Sequence, residues 1–358
     1  MTSGGAGVRV LVTGGAGFVG ANLAVALAAR PVFDVVAFDN LNRRGSELNL
    51  PRLRAAGVAF VHGDVRNAHD LLELGPVDAL VEASAEPSVM AGVGGSPRYL
   101  VDTNLAGAHH CLELARRDGA QVIFLSTGRV YPVAALNAVR FEEGPSRFKL
   151  STDQDLPGVS PAGIGEDFPL AGARTLYGAS KLGAELLVTE YGAGYGLPTV
   201  INRCGVIAGP WQMGRVDQGV FTFWLLAHHF GRDLRYIGYG GAGKQVRDLL
   251  HVEDLAALVM EQLEQPERWS GATVNVGGGP EVSLSLREAT DICVELTGNR
   301  VEVTGEPTGR AGDVPLYLSD CAALHARTAW RPRRDARRIL EDTFAWVRAH
   351  ERELERAL

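Results

Sequence analysis

Gly14, Gly17 and Gly20 recur at every third position directly behind the apolar run Val8–Val12 and ahead of a helix-periodic stretch. This arrangement constrains the fold more than any other feature of the chain. A glycine turn between a strand and a helix lets the backbone approach a diphosphate closely, and the helix amino terminus offers unpaired N–H groups to it. The same alternation continues downstream. Short β-branched runs at Arg9–Thr13, Val35–Phe38, Ala59–His62, Ala79–Glu82, Gln121–Leu125 and Pro198–Asn202 predict strands, and Val19–Arg30, Asn104–Arg117 and Ser180–Gly192 predict helices. Strands alternating with amphipathic helices imply an α/β fold with a doubly wound parallel sheet of the Rossmann type.

The pattern changes after residue 204. Glycine and arginine clusters then separate mixed helices and short strands, which predicts a smaller mixed α/β substrate-binding domain over 205–358 behind a cofactor-binding domain over 1–204. His251–Gln265 reads as a helix that returns to the first domain. Residues 132–163 are irregular and longer than a usual connection, as a functional or mobile loop would be. No internal repeat or low-complexity segment interrupts the chain.

The cofactor residues follow from the turn. Gly14, Gly17, Phe18 and Val19 lie where a pyrophosphate would sit. Asp39, followed by Asn40, ends the second strand about 20 residues beyond the glycines, where a carboxylate can accept hydrogen bonds from an adenosine ribose. That predicts NAD over NADP, although Arg43 and Arg44 stand close enough to meet a 2′-phosphate. Asp64, with Val65, follows the third strand and is placed to meet the adenine edge.

Tyr177 and Lys181 stand four residues apart and so share one helix face. A phenol is a poor base at neutral pH, and a cation held beside it favours the phenolate that deprotonating an alcohol requires.

Other readings are disfavoured. A net charge of −7 argues against a nucleic-acid or anionic-membrane surface, and no stretch reaches the length of a membrane span. The four cysteines are far apart, which fits buried thiols in a reducing compartment rather than disulfides or zinc, so the expected location is cytoplasmic. The pairs His109-His110 and His228-His229 fall on helical patterns with no ligand spacing, and no metal site is expected. Phe221, Phe223 and Trp224 read as core or cleft wall, and Ser180 has no partner base for hydrolase chemistry.

The glycine turn, Asp64, Asn104, Ser126-Thr127, Tyr177/Lys181, Arg247-Asp248-Leu249-Leu250-His251-Val252 and Gly309-Arg310-Ala311-Gly312-Asp313 together resemble the extended short-chain dehydrogenase/reductase superfamily over nearly the whole chain. Within it, Asp217-Gln218-Gly219, Gly243-Lys244-Gln245-Val246-Arg247-Asp248 and the long segment before Glu166 are similar to the CDP-sugar branch of the NAD-dependent nucleotide-sugar epimerases, that of the CDP-paratose 2-epimerases. The resemblance implies bound NAD, contacted also by Asn104 and Ser126, and a catalytic set of Thr127, Tyr177 and Lys181, with Lys181 holding the nicotinamide ribose. It further implies that Arg247 and Arg310 clasp a substrate diphosphate and that Asp313 meets its ribose, with Gly128, Arg129, Asn202, Gln218 and Gly219 beside them.

Two departures stand out. Related 4,6-dehydratases carry Asp-Glu after the catalytic threonine, where this chain has Gly128-Arg129, and Glu82 stands where relatives commonly have histidine.

The expected activity is epimerisation of a nucleotide-diphosphate sugar through a transient keto-sugar, at C2 of a CDP-activated deoxysugar, in a homodimer. The alternatives are a C4 epimerase of a UDP- or ADP-activated sugar, a net NAD-dependent oxidoreductase, and a non-catalytic NAD-sensing protein, which would not need Thr127, Tyr177 and Lys181 together.

Overall fold

Val10, Leu11 and Val12 are wholly buried in succession, as befits a strand covered on both faces. This strand, β1 (Val8–Thr13), leads into helix α1 (Phe18–Ala28). The structure, a computed structural model, describes residues 7–214 and 218–357, and side chains as far as residue 355. Asp217 of the expected CDP-sugar motif lies outside the described residues.

Further strands are β2 (Phe33–Asp39), β3 (Ala59–His62) and β4 (Ala79–Glu82), followed by helix α2 (Gly107–Asp118), β5 (Gln121–Thr127), helix α3 (Leu176–Tyr195) and β6 (Thr199–Cys204). Beyond them come β7 (Val206–Ala208), α4 (Val220–His229), β8 (Leu234–Ile237), β9 (Val246–His251), α5 (Val252–Glu264), β10 (Ala272–Val276) and β11 (Ser283–Ser285). The chain closes with α6 (Leu286–Thr297), β12 (Val303–Glu306), β13 (Leu316–Tyr317) and α7 (Ala336–Ala349).

Seven strands form one parallel sheet in the order β10-β6-β5-β4-β1-β2-β3. Alternate side chains divide its two faces. Val10 and Val12 pack with Leu23 and Leu27 of α1 and Leu255 and Leu258 of α5. Leu11 packs with Leu112 of α2 and Ala184 and Val188 of α3. The order reverses between β1 and β4, and a ligand crevice is expected there, at the carboxyl ends of the strands.

Each expected strand is present, with ends moved by up to two residues. Strand β10 was not expected, because Ala272–Val276 is short and follows glycine; it extends the sheet by pairing with β6. Helix α5 does return to the main sheet, as expected of His251–Gln265. Asn202 on β6 and Gln262 on α5 exchange side-chain hydrogen bonds of 2.8 and 2.9 Å across that junction.

The remaining chain forms a small sheet in which β9 pairs with β7, β11 and β13, a separate pair β8–β12, and helices α4, α6 and α7. Trp224, Leu225, Cys293 and Trp346 centre its core. The irregular segment 132–163 folds into a short helix and two hairpins. Phe148 N donates to Lys244 O at 2.9 Å, just ahead of β9, and Ile164 N, at the end of the second hairpin, donates to Leu318 O at 2.8 Å, just past β13.

Candidate active site

At the glycine turn, Gly14 adopts φ +61°, and a Cβ there would come within 2.8 Å of the Ala83 carbonyl. A Cβ on Gly20 would lie 2.1 Å from Gly14 O, so only glycine lets α1 settle on the turn. Gly17 caps α1 without a side-chain cap, and its first turn carries no acidic residue. Those N–H groups and the helix dipole suit a diphosphate. Asp39 accepts from Leu41 N at 2.7 Å and from Ala16 N at 3.1 Å, so its carboxylate is oriented by the turn itself. Burial raises its pKa.

Asn40 Nδ2 donates to Asp64 at 3.0 Å, and both border a cavity of about 210 Å³ that also meets His62 and Arg66. Burial alone would raise the Asp64 carboxyl, but hydrogen bonds from Arg66 and Asn40 carry it down to about 2. Val65 beside it is buried, and its carbonyl is bonded to His110 Nδ1 at 2.8 Å. These placements are those a dinucleotide site needs.

A second cavity of about 570 Å³ begins at Phe18 and Val19 and runs into the smaller half of the chain. Strand β5 delivers Ser126 and Thr127 to it. Helix α3, capped by Thr175 through Gly178 N at 3.2 Å, delivers Tyr177, and Cys204 enters from β6. Tyr177 is hydrogen-bonded to the Thr127 hydroxyl; burial pushes its phenol up to about 12, while the Thr127 bond and the Arg129 charge oppose that rise.

Lys181 is 2% exposed and lies one turn deeper. Its Nζ faces Glu82 Oε2 at 3.4 Å and sits 3.9 Å over the Phe124 ring. The sequence suggests an ammonium directed at the phenol, yet here a carboxylate from β4 takes it up. Asn104 accepts from Glu86 N at 2.7 Å and donates to Ser180 Oγ at 3.1 Å, tying the segment after β4 to α3. Ser126 Oγ donates to Glu185 Oε1 at 2.5 Å.

The far end of the cavity gathers Arg129, Gln218, Gly219, Arg247, Arg310 and Asp313. Arg129 Nη1 donates to Gly312 O at 3.1 Å, and burial, then the nearby Arg247 charge, lowers its guanidinium to about 10. Arg247 Nη2 donates to Asp313 Oδ1 and Val314 O, each at 2.8 Å. Phe221, Phe223 and Trp224 line the wall between β8 and the reacting centre, while Trp224 also stacks on Tyr236 at 5.8 Å.

Asn202 is not brought to this cavity. Its side chain is wholly buried and its amide is paired with Gln262, which corrects its expected substrate contact: the side chain joins α5 to the sheet. Gly128 is buried beneath Tyr317, whose phenol oxygen would lie 2.3 Å from a Cβ at that position. The missing side chain is therefore a matter of packing, with Tyr317 in its space.

Sequence reasoning also overlooked Glu185 and Arg203, a buried pair joined at 2.8 Å. The signal was present. Glu185 follows Tyr177 and Lys181 at the next four-residue step, and Arg203 interrupts an apolar strand.

The model of the NAD dependent epimerase/dehydratase family matches residues 10–277. The chain belongs to this family. It uses NAD as cofactor, and the resemblance read from its motifs is borne out at this level. Among curated relatives it is 29% identical to CDP-paratose 2-epimerase of Salmonella typhi over 348 residues, which covers 95% of this chain and 99% of that one. It is also 29% identical to dTDP-glucose 4,6-dehydratase of an Actinoplanes strain, over 96% of this chain and 98% of the relative. The solved UDP-glucose 4-epimerase of Thermus thermophilus in complex with NAD is 28% identical, with a TM-score of 0.74 over 95% of this chain and 99% of that one. Among the described residues no helix is long and apolar enough to cross a membrane.

Proposed function

We propose that this enzyme epimerises a nucleotide-diphosphate sugar, and that its substrate is a CDP-activated deoxysugar inverted at C2. The reading is supported chiefly by the single cavity that joins Thr127 and Tyr177 to Arg129, Arg247, Arg310 and Asp313. Guanidinium groups match the geometry of a diphosphate, and their grouping offers local positive charge on a chain whose net charge is −7. Asp313 suits a ribose hydroxyl, and residues 205–358, apart from the returning α5 and β10, act as the substrate-binding domain.

Bound NAD supplies a hydride acceptor that gives back the hydride it takes, so no external redox partner is consumed. Gly14, Gly17, Phe18, Val19, Asp39, Asn40 and Asp64 hold it, with Lys181 beside its nicotinamide ribose. Tyr177 removes the proton of the reacting hydroxyl and later returns it, while Thr127 orients that hydroxyl through the hydrogen bond it shares with the phenol. The arginines keep the nucleotide anchored while the sugar turns over. Gly128-Arg129 offers no carboxyl group at the place where dehydratases carry Asp-Glu, which favours epimerisation over elimination of water. Likeness to CDP-paratose 2-epimerase over 95% of the chain favours the CDP-sugar substrate. Likeness to the 4-epimerases favours the second reading, C4 inversion of a UDP- or ADP-activated sugar, since the same acid/base group serves whichever hydroxyl faces it. The homodimer is proposed on the exposed Leu176, Leu186 and Tyr195 of α3.

The deciding experiment incubates the NAD-loaded enzyme with CDP-, UDP-, ADP- and GDP-sugars and follows stereochemistry by proton NMR. Inversion at C2 of a CDP-sugar without accumulating NADH is expected. Tyr177→Phe should lower turnover by about 100- to 10,000-fold with NAD retained. NADH formed in step with product would overturn the epimerase assignment in favour of a net oxidoreductase.

A further inference from the structure

Glu82 and Lys181 are among the most deeply buried charged groups of the described residues, each 2% exposed. They meet behind the lining of the reacting centre, Glu82 next to Ala83 and Lys181 one helical turn from Tyr177. Glu82 ends β4, and its second oxygen is occupied: Ser84 Oγ donates to Oε1 at 2.5 Å while Lys181 faces Oε2 at 3.4 Å. Lys181 has Phe124 beneath it. A carboxylate and an ammonium so deep in the protein persist only as a hydrogen-bonded pair, because either alone would carry an uncompensated charge.

We propose that Glu82 is a positioning residue of the reacting centre: its carboxylate pins Lys181 behind the cavity lining and takes up charge that Lys181 would otherwise direct at Tyr177.

The surroundings agree. The titratable groups that couple to the pair are Cys111 from α2, Cys204 from β6 and Tyr177 from α3. Burial raises both thiols, so they stay neutral and do not screen the pair. At the Tyr177 phenol, burial acts first to disfavour the anion; Cys204 and then Glu82 add to that effect, whereas the Thr127 hydrogen bond and the Arg129 charge oppose it. Arg129, two residues beyond Thr127, supplies part of the positive charge that the ion pair withholds. A neutral residue at position 82 would release the ammonium to favour the phenolate and would free its side chain to move.

The inference rests on the epimerase reading only in treating Tyr177 as the working acid/base. The test uses the full-length NAD-loaded enzyme and its Glu82→Gln and Glu82→His variants. Tyr177 ionisation is read from tyrosinate absorbance as a difference against Tyr177→Phe, alongside the acid limb of kcat/KM and NAD content per chain. In Glu82→Gln, Tyr177 should ionise at about tenfold higher proton concentration, and the acid limb should move with it. Lys181→Met should shift ionisation the other way, and the double variant should fall between the two.

A folded Glu82→Gln with unchanged Tyr177 titration overturns the proposal. If Glu82→Gln does not fold, the tyrosinate titration and the acid limb of Glu82→His decide it: the same downward shift is expected, and an unchanged Tyr177 titration overturns the proposal. A Tyr177→Phe enzyme with normal turnover, alongside a shifted titration in Glu82→Gln, would sink the acid/base assignment and leave the ion pair's role standing.

Discussion

Arg247 Nη2 holds Asp313 Oδ1 at 2.8 Å, so two residues expected to touch different parts of a substrate already touch one another. Arg247 is further fixed by the carbonyls of Val314 and Val246, each at 2.8 Å. The guanidinium plane is thereby set before any ligand arrives, and preorganisation of this kind reduces the ordering cost of binding. Lysine cannot reproduce the fork. Arg247→Lys should weaken a nucleoside diphosphate by about 10- to 100-fold, matching the roughly 1.5–3 kcal/mol of a charge-assisted hydrogen bond. Titration calorimetry would measure it, with NAD content unchanged; equal affinity would remove Arg247 from the anion site.

Gly128 and Tyr317 compete for one volume. A Cβ at position 128 would stand 2.3 Å from both Cζ and the phenol oxygen of Tyr317, a ring that is 6% exposed and lies 6.2 Å from the Tyr131 ring. Overpacking of this sort costs about 1–3 kcal/mol. Gly128→Ala should destabilise by that amount in urea unfolding, and Tyr317→Leu should be less harmful in the Gly128→Ala background than alone. Strict additivity of the two changes would mean that they do not share the space.

The main sheet was legible because each strand is a short β-branched run between glycine turns and helical periodicity, and such patterns are local. Strand β10 escaped because its pairing with β6 is non-local and its sequence too short to declare itself. That Thr127 and Tyr177 share one cavity was implied by the resemblance of their motifs to the family. Neither the capture of Lys181 by Glu82 nor the intrusion of Tyr317 over Gly128 could be foreseen, since each joins residues about a hundred or more positions apart. Asn202 misled for the same reason: its partner Gln262 lies 60 residues away.

Glu185 anchors α3 beneath the reacting centre. It receives Ser126 Oγ at 2.5 Å and three contacts from Arg203, at 3.1, 3.1 and 2.8 Å, while Arg203 also reaches Tyr131. A buried pair is not by itself strongly stabilising, but a bare buried charge is strongly destabilising. Glu185→Ala should therefore cost about 3–5 kcal/mol. Replacing both members together, as Glu185→Leu with Arg203→Met, should recover most of that loss. Chemical denaturation of Glu185→Leu, Arg203→Met and the double variant measures the difference, and a double variant as unstable as the sum of the two single changes would contradict the account.

Asp248 and His251 lie on one strand, and burial shifts them in opposite directions. Asp248 is wholly buried; burial raises its carboxyl to about 6 despite hydrogen bonds from Ser319 N at 3.2 Å and Gly279 N at 3.4 Å. His251 is 1% exposed, and burial, followed by the Arg334 charge, lowers it to about 4. Unfolded, the two would titrate near ~3.9 and ~6.5. Between about pH 4 and 6 the folded chain keeps the Asp248 proton that the unfolded chain has lost, so this group's contribution falls as pH rises. Over nearly the same range the unfolded chain holds a proton on His251 that the folded one does not, so that contribution rises with pH. Asp248→Asn removes only the first effect. Its stability relative to the natural protein should climb by on the order of 3 kcal/mol from pH 4 to pH 6 and stay level above that. Urea unfolding at a series of pH values reads this directly, and a difference that does not vary with pH would show that Asp248 titrates as an ordinary carboxyl group.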